Sequence, residues 1–178
     1  MPVAFEVARG LQAPLDVFLV RKLGVSGHRE LALGAIASGG TRVLNEEVIA
    51  ALEIEAAEIE ATTAREATEL SRRERLYRGD RAPLELAGRT VMVVDDGLAT
   101  GATMRAAVLA IRAQQAARIV VAVPVAAPAT CARLAELADR VLCAHTPEPF
   151  RAVSLWYRDF AATNDAEVRT LLEEFHGI

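Results

Sequence analysis

Aromatic residues make up only 4% of this chain although 52% of it is apolar, so its core must be aliphatic and rich in alanine. There are two cysteines, Cys131 and Cys143, and they form neither a C-x-x-C pair nor a zinc-like spacing. They are read as small buried apolar residues in a reducing compartment. No apolar run approaches the ~20 residues of a membrane span, and no charged-then-apolar leader opens the chain. These absences predict a soluble, cytoplasmic protein without a membrane partner. The net charge of -4 argues against a general nucleic-acid binder, and the apolar content against disorder. With 178 residues, a single domain with a real core is expected.

What the chain does contain is organised around Val91 to Met104. Val91 to Val94 is a short, mostly β-branched run, which predicts a parallel strand buried on both faces. Asp95 and Asp96 end it. Gly97 and Gly101 supply backbone freedom for a tight loop, and the apolar residues Met104, Val108, Leu109 and Ile111 resume at helical spacing. The loop therefore empties into a helix N-terminus, where unpaired N–H groups and the helix dipole favour an anion such as phosphate. Thr100 and Thr103 add hydroxyl donors. Two carboxylates beside an anion site need a reason, and a sugar diol supplies one, because ionised carboxylates accept hydrogen bonds and donate none. The implied ligand is a ribose 5-phosphate unit. A Walker B strand is the competing reading, but the sequence has no G-x-x-x-x-G-K-[ST] loop.

In chain order, Val3, Val7 and Leu11 recur at helical spacing, closed by Gly10 and Pro14, and Leu15 to Val20 reads as a strand. Arg21 and Lys22 end that strand and suggest a second anion site. A polar segment, Gly24 to Glu30, follows. Leu31 to Ala37 and Thr41 to Leu44 predict a hairpin around Ser38-Gly39-Gly40, and Asn45 resembles an N-cap. Glu46 to Arg78 reads as mostly helix, acidic early and basic late, with Glu69/Arg73 and Glu74/Arg78 as i,i+4 pairs. Interleaved glutamates make its arginines a solvated face rather than a nucleic-acid patch. After a turn-rich bridge, Gly79 to Gly88, strands at Val91, Ile119 to Val123 and Val141 to Cys143 alternate with helices starting at Ala102 and Pro128. That order means a parallel sheet with helices on both faces. The scarce aromatics gather at Phe150, Trp156, Tyr157 and Phe160. Asn164 and Glu167 predict a capping box for a last helix whose Val168, Leu171, Leu172 and Phe175 face inward.

Asp95 to Thr103 resembles the phosphoribosyl-diphosphate (PRPP) motif of type I phosphoribosyltransferases, most of all the adenine phosphoribosyltransferase version. The match joins an apolar strand, two acids, a Thr-Gly-x-Thr loop and a helix in order. It departs at Gly97, where the family usually carries a larger apolar residue, and at Ala102, often Gly. The resemblance covers most of the chain, and Pro2 to Gly34 and Thr146 to Phe160 are similar to a group of uncharacterised bacterial members. It implies an α/β doubly wound parallel sheet in one domain, 1–178, with a mostly helical hood at about 38–85 and a C-terminal helix at about 164–176. It also leads one to expect a further strand and a loop like Pro-Arg-Gly-Gly ahead of Pro2-Val3-Ala4, lying between the strands at Leu15 and Val91.

The family chemistry so implied is transfer of 5-phosphoribosyl from PRPP to a nucleobase or related nitrogen heterocycle, with Mg²⁺ and release of pyrophosphate. Arg21 and Lys22 would neutralise the leaving group and Asp95 and Asp96 would hold the ribose. Gly97, Ala99, Thr100, Gly101, Ala102 and Thr103 would complete the PRPP site. Trp156 and Tyr157 stand equally as base-stacking or core residues, and Asp159 as an acceptor from a base N–H. No residue is assigned directly to the metal. The alternative is a non-catalytic PRPP- or nucleotide-binding regulator. The sequence leaves the acceptor base open and is compatible with a homo-oligomer.

Overall fold

Pro2 sits in the first turn of the opening helix, α1 (Pro2–Leu11), where its missing N–H has no intrahelical acceptor to lose. The computed structural model that shows this describes residues 1–25 and 28–177, with backbone alone at 28–30. Phe5 and Ala8 form the buried stripe of α1, whereas Leu11 is exposed. That stripe packs with Leu15, Val17, Tyr77 and Leu172.

The expected strand at Leu15 to Val20 is displaced: Leu15 to Leu19 is irregular, and β1 runs from Val20 to Val25. A strand needs a ladder partner. Among the described residues β1 finds one only in β2 (His28–Ala37), antiparallel, with Val20 opposite Ala37. The segment ahead of it is tied by exchange between Leu19 and Ser38, whose N–H donates to Leu19 O at 2.9 Å while its hydroxyl accepts from Leu19 N at 2.9 Å. Part of the predicted polar segment, residues 26–27, lies outside the described residues. β2 turns through Ser38-Gly39-Gly40 into β3 (Arg42–Leu44), the hairpin expected there.

Asn45 caps α2 (Glu46–Ala51), its Oδ1 accepting from Val48 N at 3.3 Å. The stretch from Glu46 to Arg78, expected to be mostly helix, is built of two helices. The chain breaks at Leu52 to Glu55, with Glu53 at φ 50°, and resumes as α3 (Ala56–Arg78). Glu69 pairs with Arg73 at 2.9 Å and Glu74 with Arg78 at 3.2 Å, as the spacing predicts.

The second half alternates regularly. β4 (Thr90–Val94), α4 (Ala102–Ala113), β5 (Arg118–Val125), α5 (Pro128–Ala135) and β6 (Arg140–His145) form a parallel sheet in the order β4-β5-β6. The described strands thus divide into this parallel sheet and the antiparallel β1-β2-β3 sheet. α4 lies between the two, touching strands of both, and Gln114 just past its end donates to Ser38 O at 2.7 Å. Met104, Val108 and Ile111 of α4 and Leu134 of α5 share one core with Ile119, Val121 and Val123 of β5.

β4 is not buried on both faces. Val91 and Val93 reach that core, but Met92 is 36% exposed, because β4 is the edge of its sheet and β5 the covered strand. The cysteines also differ from expectation: Cys131 of α5 and Cys143 of β6 are joined in a disulfide, both at the rim of the same core. Two residues of helix and strand facing one packing interface can meet although their spacing matches no motif. A final helix, α6 (Asp165–His176), begins with the predicted capping box: Asn164 Oδ1 accepts from Glu167 N at 3.0 Å and Glu167 Oε2 from Asn164 N at 2.8 Å. Among the described residues no helix is long and apolar enough to cross a membrane.

Candidate phosphate and sugar site

The carboxyl ends of the parallel strands are the edge at which α/β sheets present ligand sites, and there β4 gives way to Asp95. The Asp96 N–H donates to Asp95 Oδ1 at 2.9 Å, which folds the two acids into a tight turn. Burial pushes the Asp95 carboxyl above its usual range and the Asp96 charge adds to this, against the pull of that N–H. The residue still keeps surface open to solvent, so the shielding is partial. Tyr157, beyond a 3₁₀ turn at Val153–Trp156, closes the back of this turn by donating its hydroxyl to Asp96 O. Burial raises the phenol's pKa, as do the charges of Asp96 and Asp95, so the ring is within electrostatic reach of both.

The loop then crosses to β5. Leu98 N donates to Val125 O at 3.0 Å and Ala127 N to Leu98 O at 3.0 Å, a one-residue parallel bridge that leaves Leu98 buried. Gly97, expected to supply backbone freedom, does not have a left-handed backbone; what it provides is room. A Cβ there would stand 2.6 Å from Val153 Cγ1 and 2.9 Å from Val125 O. The missing side chain lets the Val153–Trp156 turn press onto the loop. Gly101 does need its freedom, with φ 75° as the N-cap of α4. Ala99, Thr100, Ala102 and Thr103 are exposed where the loop enters α4, and a helix start leaves its first N–H groups without intrahelical partners, a setting that suits an anion.

Across from α4 the period-two alternation of β1 sends its two cations different ways. Lys22 lines a cleft of about 250 Å³ together with Val20, Asn45, Ala102, Thr103 and Arg105. Arg21 instead grips Glu66 of α3, with Nε at 2.8 Å and Nη2 at 2.6 Å from Oε2. Burial works to raise Glu66, but hydrogen bonds and charge from Arg21 and Arg65 outweigh it and hold the carboxyl below its usual range. Of the residues singled out near the chain's end, Tyr157 joins the site. Trp156 packs edge-on against His145 at 4.9 Å, and Asp159 accepts from Ala161 N at 3.0 Å in an exposed local turn.

Arg105, Thr130 and Arg133, which the loop motif does not include, also border the cleft and the loop. Arg105 could have been found, since it lies in the first turn of the helix that the loop opens, one turn from Ala102. Thr130 and Arg133 reach the loop only through the tertiary contact of α5 and carry no local signal.

Substituting Gly97 tests the close approach of the 3₁₀ turn. Gly97→Ala should push Val153 off the loop, cost ~1–3 kcal/mol as overpacking, and alter the emission of Trp156, the single tryptophan. Thermal unfolding followed by that fluorescence reads both; an unchanged midpoint and spectrum would refute the packing role.

The chain thus combines an α/β fold with paired acids and a loop-to-helix junction on the carboxyl edge of its parallel sheet. Residues 1–155 match the phosphoribosyl transferase domain, so the chain belongs to the type I phosphoribosyltransferase family. It is 47% identical over 176 residues to the "Putative phosphoribosyl transferase MT0597" of Mycobacterium tuberculosis (strain CDC 1551 / Oshkosh), across 99% of this chain and 40% of that protein. The same figures hold for "Putative phosphoribosyl transferase Rv0571c" of strain ATCC 25618 / H37Rv. The chain thus spans about two fifths of the length of these curated relatives. The crystal structure of TT1426 from Thermus thermophilus superposes with a TM-score of 0.85 at 41% identity, covering 97% of this chain and 82% of that one.

Proposed function

We propose that the protein transfers the 5-phosphoribosyl group of PRPP to a nucleobase or related nitrogen heterocycle and releases pyrophosphate. The observation that carries this reading is the junction of the Asp95-Asp96 turn with the exposed Ala99–Thr103 cradle at the start of α4. The cradle takes the 5-phosphate and the two carboxylates accept from the ribose diol. In the reaction the C1–oxygen bond to pyrophosphate breaks, the electron pair leaves with pyrophosphate, and the ring nitrogen forms the new bond to C1 while its N–H proton passes to water. Cations facing the leaving group stabilise its developing charge. Lys22 and Arg105, which line the cleft beside Thr103, take that role here, and Arg21 acts indirectly by fixing β1 to α3.

Mg²⁺ suits this donor set. Among the described residues no three His, Cys, Asp or Glu side chains converge, and Mg²⁺ is commonly bound through one or two carboxylates plus substrate phosphates and water. Asp95 and Asp96 offer the hard oxygens, and the ion would neutralise pyrophosphate charge when bound. The base lies toward Tyr157, with Trp156 and Asp159 further out, and residues 38–85 serve as the hood. The Arg21–Glu66 pair also favours a second reading, a PRPP-binding regulator without turnover, because it takes one expected cation away from the leaving group.

The experiment measures PRPP binding by calorimetry with Mg²⁺ and pyrophosphate release across a panel of bases. Binding with release supports the enzyme, binding without release supports the regulator, and no binding by well-folded protein refutes both. Lys22→Ala or Arg105→Ala should each slow release by about 10²- to 10³-fold, the usual cost of one preorganised donor, while binding of ribose 5-phosphate changes far less.

A further inference from the structure

α5 does more than cover the parallel sheet: its third residue reaches back to the loop. Thr130 is 2% exposed, and its hydroxyl donates to Ala99 O at 2.6 Å, closing a contact between residues 31 apart in sequence. Its methyl group fills the space that a side chain at Gly101 would need, with Cγ2 only 2.6 Å from where that Cβ would be. Arg133, one turn on, donates to Thr130 Oγ1 at 3.2 Å and to Thr100 O at 3.4 Å. Three consecutive loop residues, Ala99, Thr100 and Gly101, are therefore held from behind by one helix turn.

The direction of these contacts matters. They all engage the back of the loop, either carbonyl oxygens or the face of Gly101 that points at α5. A peptide whose carbonyl is held on one side presents the following N–H away from it, so tying the carbonyls of Ala99 and Thr100 to α5 turns the N–H groups of Thr100 and Gly101 outward. The Arg133 donor polarises the Thr130 hydroxyl, and hydrogen bonds in such a chain strengthen one another. The cradle is thus set before any anion arrives, and a phosphate need not spend binding free energy ordering it.

We propose that Thr130, with Arg133 behind it, is a positioning residue that presets the Ala99–Gly101 cradle for the 5-phosphate. This rests on the ligand reading above and adds the device by which the cradle keeps its shape. Neither residue touches the ligand. Both act through loop carbonyls.

The test compares Thr130→Val, which keeps the shape and removes the hydroxyl, with Thr130→Ser, which keeps the hydroxyl. Binding of ribose 5-phosphate is measured by calorimetry, and amide hydrogen exchange of residues 97–103 is measured without ligand. Thr130→Val should weaken binding about tenfold, the equivalent of ~1.4 kcal/mol, and speed exchange in the loop, whereas Thr130→Ser, which keeps the hydroxyl but lacks the methyl beside Gly101, should restore most of both. In steady-state turnover the same change should raise KM for PRPP with little effect on kcat. A residue that merely stabilised α5 would lower the thermal midpoint and leave the affinity of the folded protein as it was; that result overturns the proposal. If the unaltered protein fails to bind ribose 5-phosphate, the ligand reading falls. Exchange then decides on the clamp alone: unchanged loop protection in Thr130→Val refutes it, and faster exchange rescued by Ser upholds it.

Discussion

Asp95→Asn and Asp96→Asn should each weaken PRPP binding by about 10- to 100-fold, since a hydrogen bond to an ionised group contributes ~1.5–3 kcal/mol, yet leave inorganic phosphate binding nearly unchanged. The carboxylates accept from the diol, and a bare anion has no diol to lose; removing a negative charge can even favour it. Asn at position 95 keeps an oxygen for the Asp96 N–H, so the turn itself should survive. Titration supplies a second readout. Because burial holds the Asp95 pKa above its usual value, the ionised acceptor forms late, and affinity for ribose 5-phosphate relative to inorganic phosphate should rise as pH climbs through that raised pKa. The effect on folding has the opposite sign. Between the unfolded and folded pKa values the native state holds more protons than the unfolded chain, so stability falls as pH rises across that window. Both dependences should vanish in Asp95→Asn. Equal losses for PRPP and inorganic phosphate would remove the carboxylates from the diol.

Several local physical signals in the sequence are found in place in the structure. Pro128 at a helix start, the reciprocal caps of Asn164 and Glu167, and the helical recurrence of Met104, Val108 and Ile111 each act within a few residues and are found in place. The acids and the Thr-Gly-x-Thr loop were legible for the same reason: strand, turn and helix start are contiguous. What was not legible depends on neighbours. Leu15 to Leu19 has the composition of a strand, but composition sets β propensity and not a ladder partner, and the described chain supplies none alongside it.

The site divides along the same line. Arg21 and Lys22 look equivalent as letters, and only the pleat of β1 together with the position of Glu66 separates a structural cation from one that faces the cleft. Gly97 reads from the sequence as backbone freedom for a tight loop because glycine has two uses, and the choice between that freedom and close approach is made by Val153, 56 residues away. The disulfide between Cys131 and Cys143 belongs here as well, since it follows from how α5 lies on β6. Substituting any of these on the basis of the loop motif alone would misjudge its effect.

Arg78→Ala should be strongly destabilising, although it lies outside the parallel sheet. Arg78 is 9% exposed at the end of α3, and its guanidinium meets Asp16 with Nε at 2.8 and 2.9 Å from the two carboxylate oxygens. It also donates to Val17 O at 2.6 Å and to Glu74 at 3.2 Å. The contacts pin the irregular Leu15–Leu19 segment, which lacks a strand's ladder, to the helix; Asp16 extends the tie by accepting from Leu84 N at 3.3 Å. Removing the guanidinium leaves the half-buried Asp16 carboxylate with only the Val17 and Leu84 N–H groups and no cation, and takes the Arg78 donor from the Val17 carbonyl; breaking a buried pair in this way costs ~3–5 kcal/mol. For a domain of this size that corresponds to a fall in Tm of about 6–20 °C. Arg78→Lys should recover only part of it, because an ammonium cannot reach Asp16, Val17 and Glu74 from one planar fork. Asp16→Asn separates the two contributions: it removes the charge but keeps an acceptor, so it should cost less than Arg78→Ala. Calorimetric unfolding of the three variants decides the matter, and a midpoint within about 2 °C of the unaltered protein for Arg78→Ala, well below the shift expected for a broken buried pair, would mean that the segment is held by its apolar contacts with α1 and α6 instead.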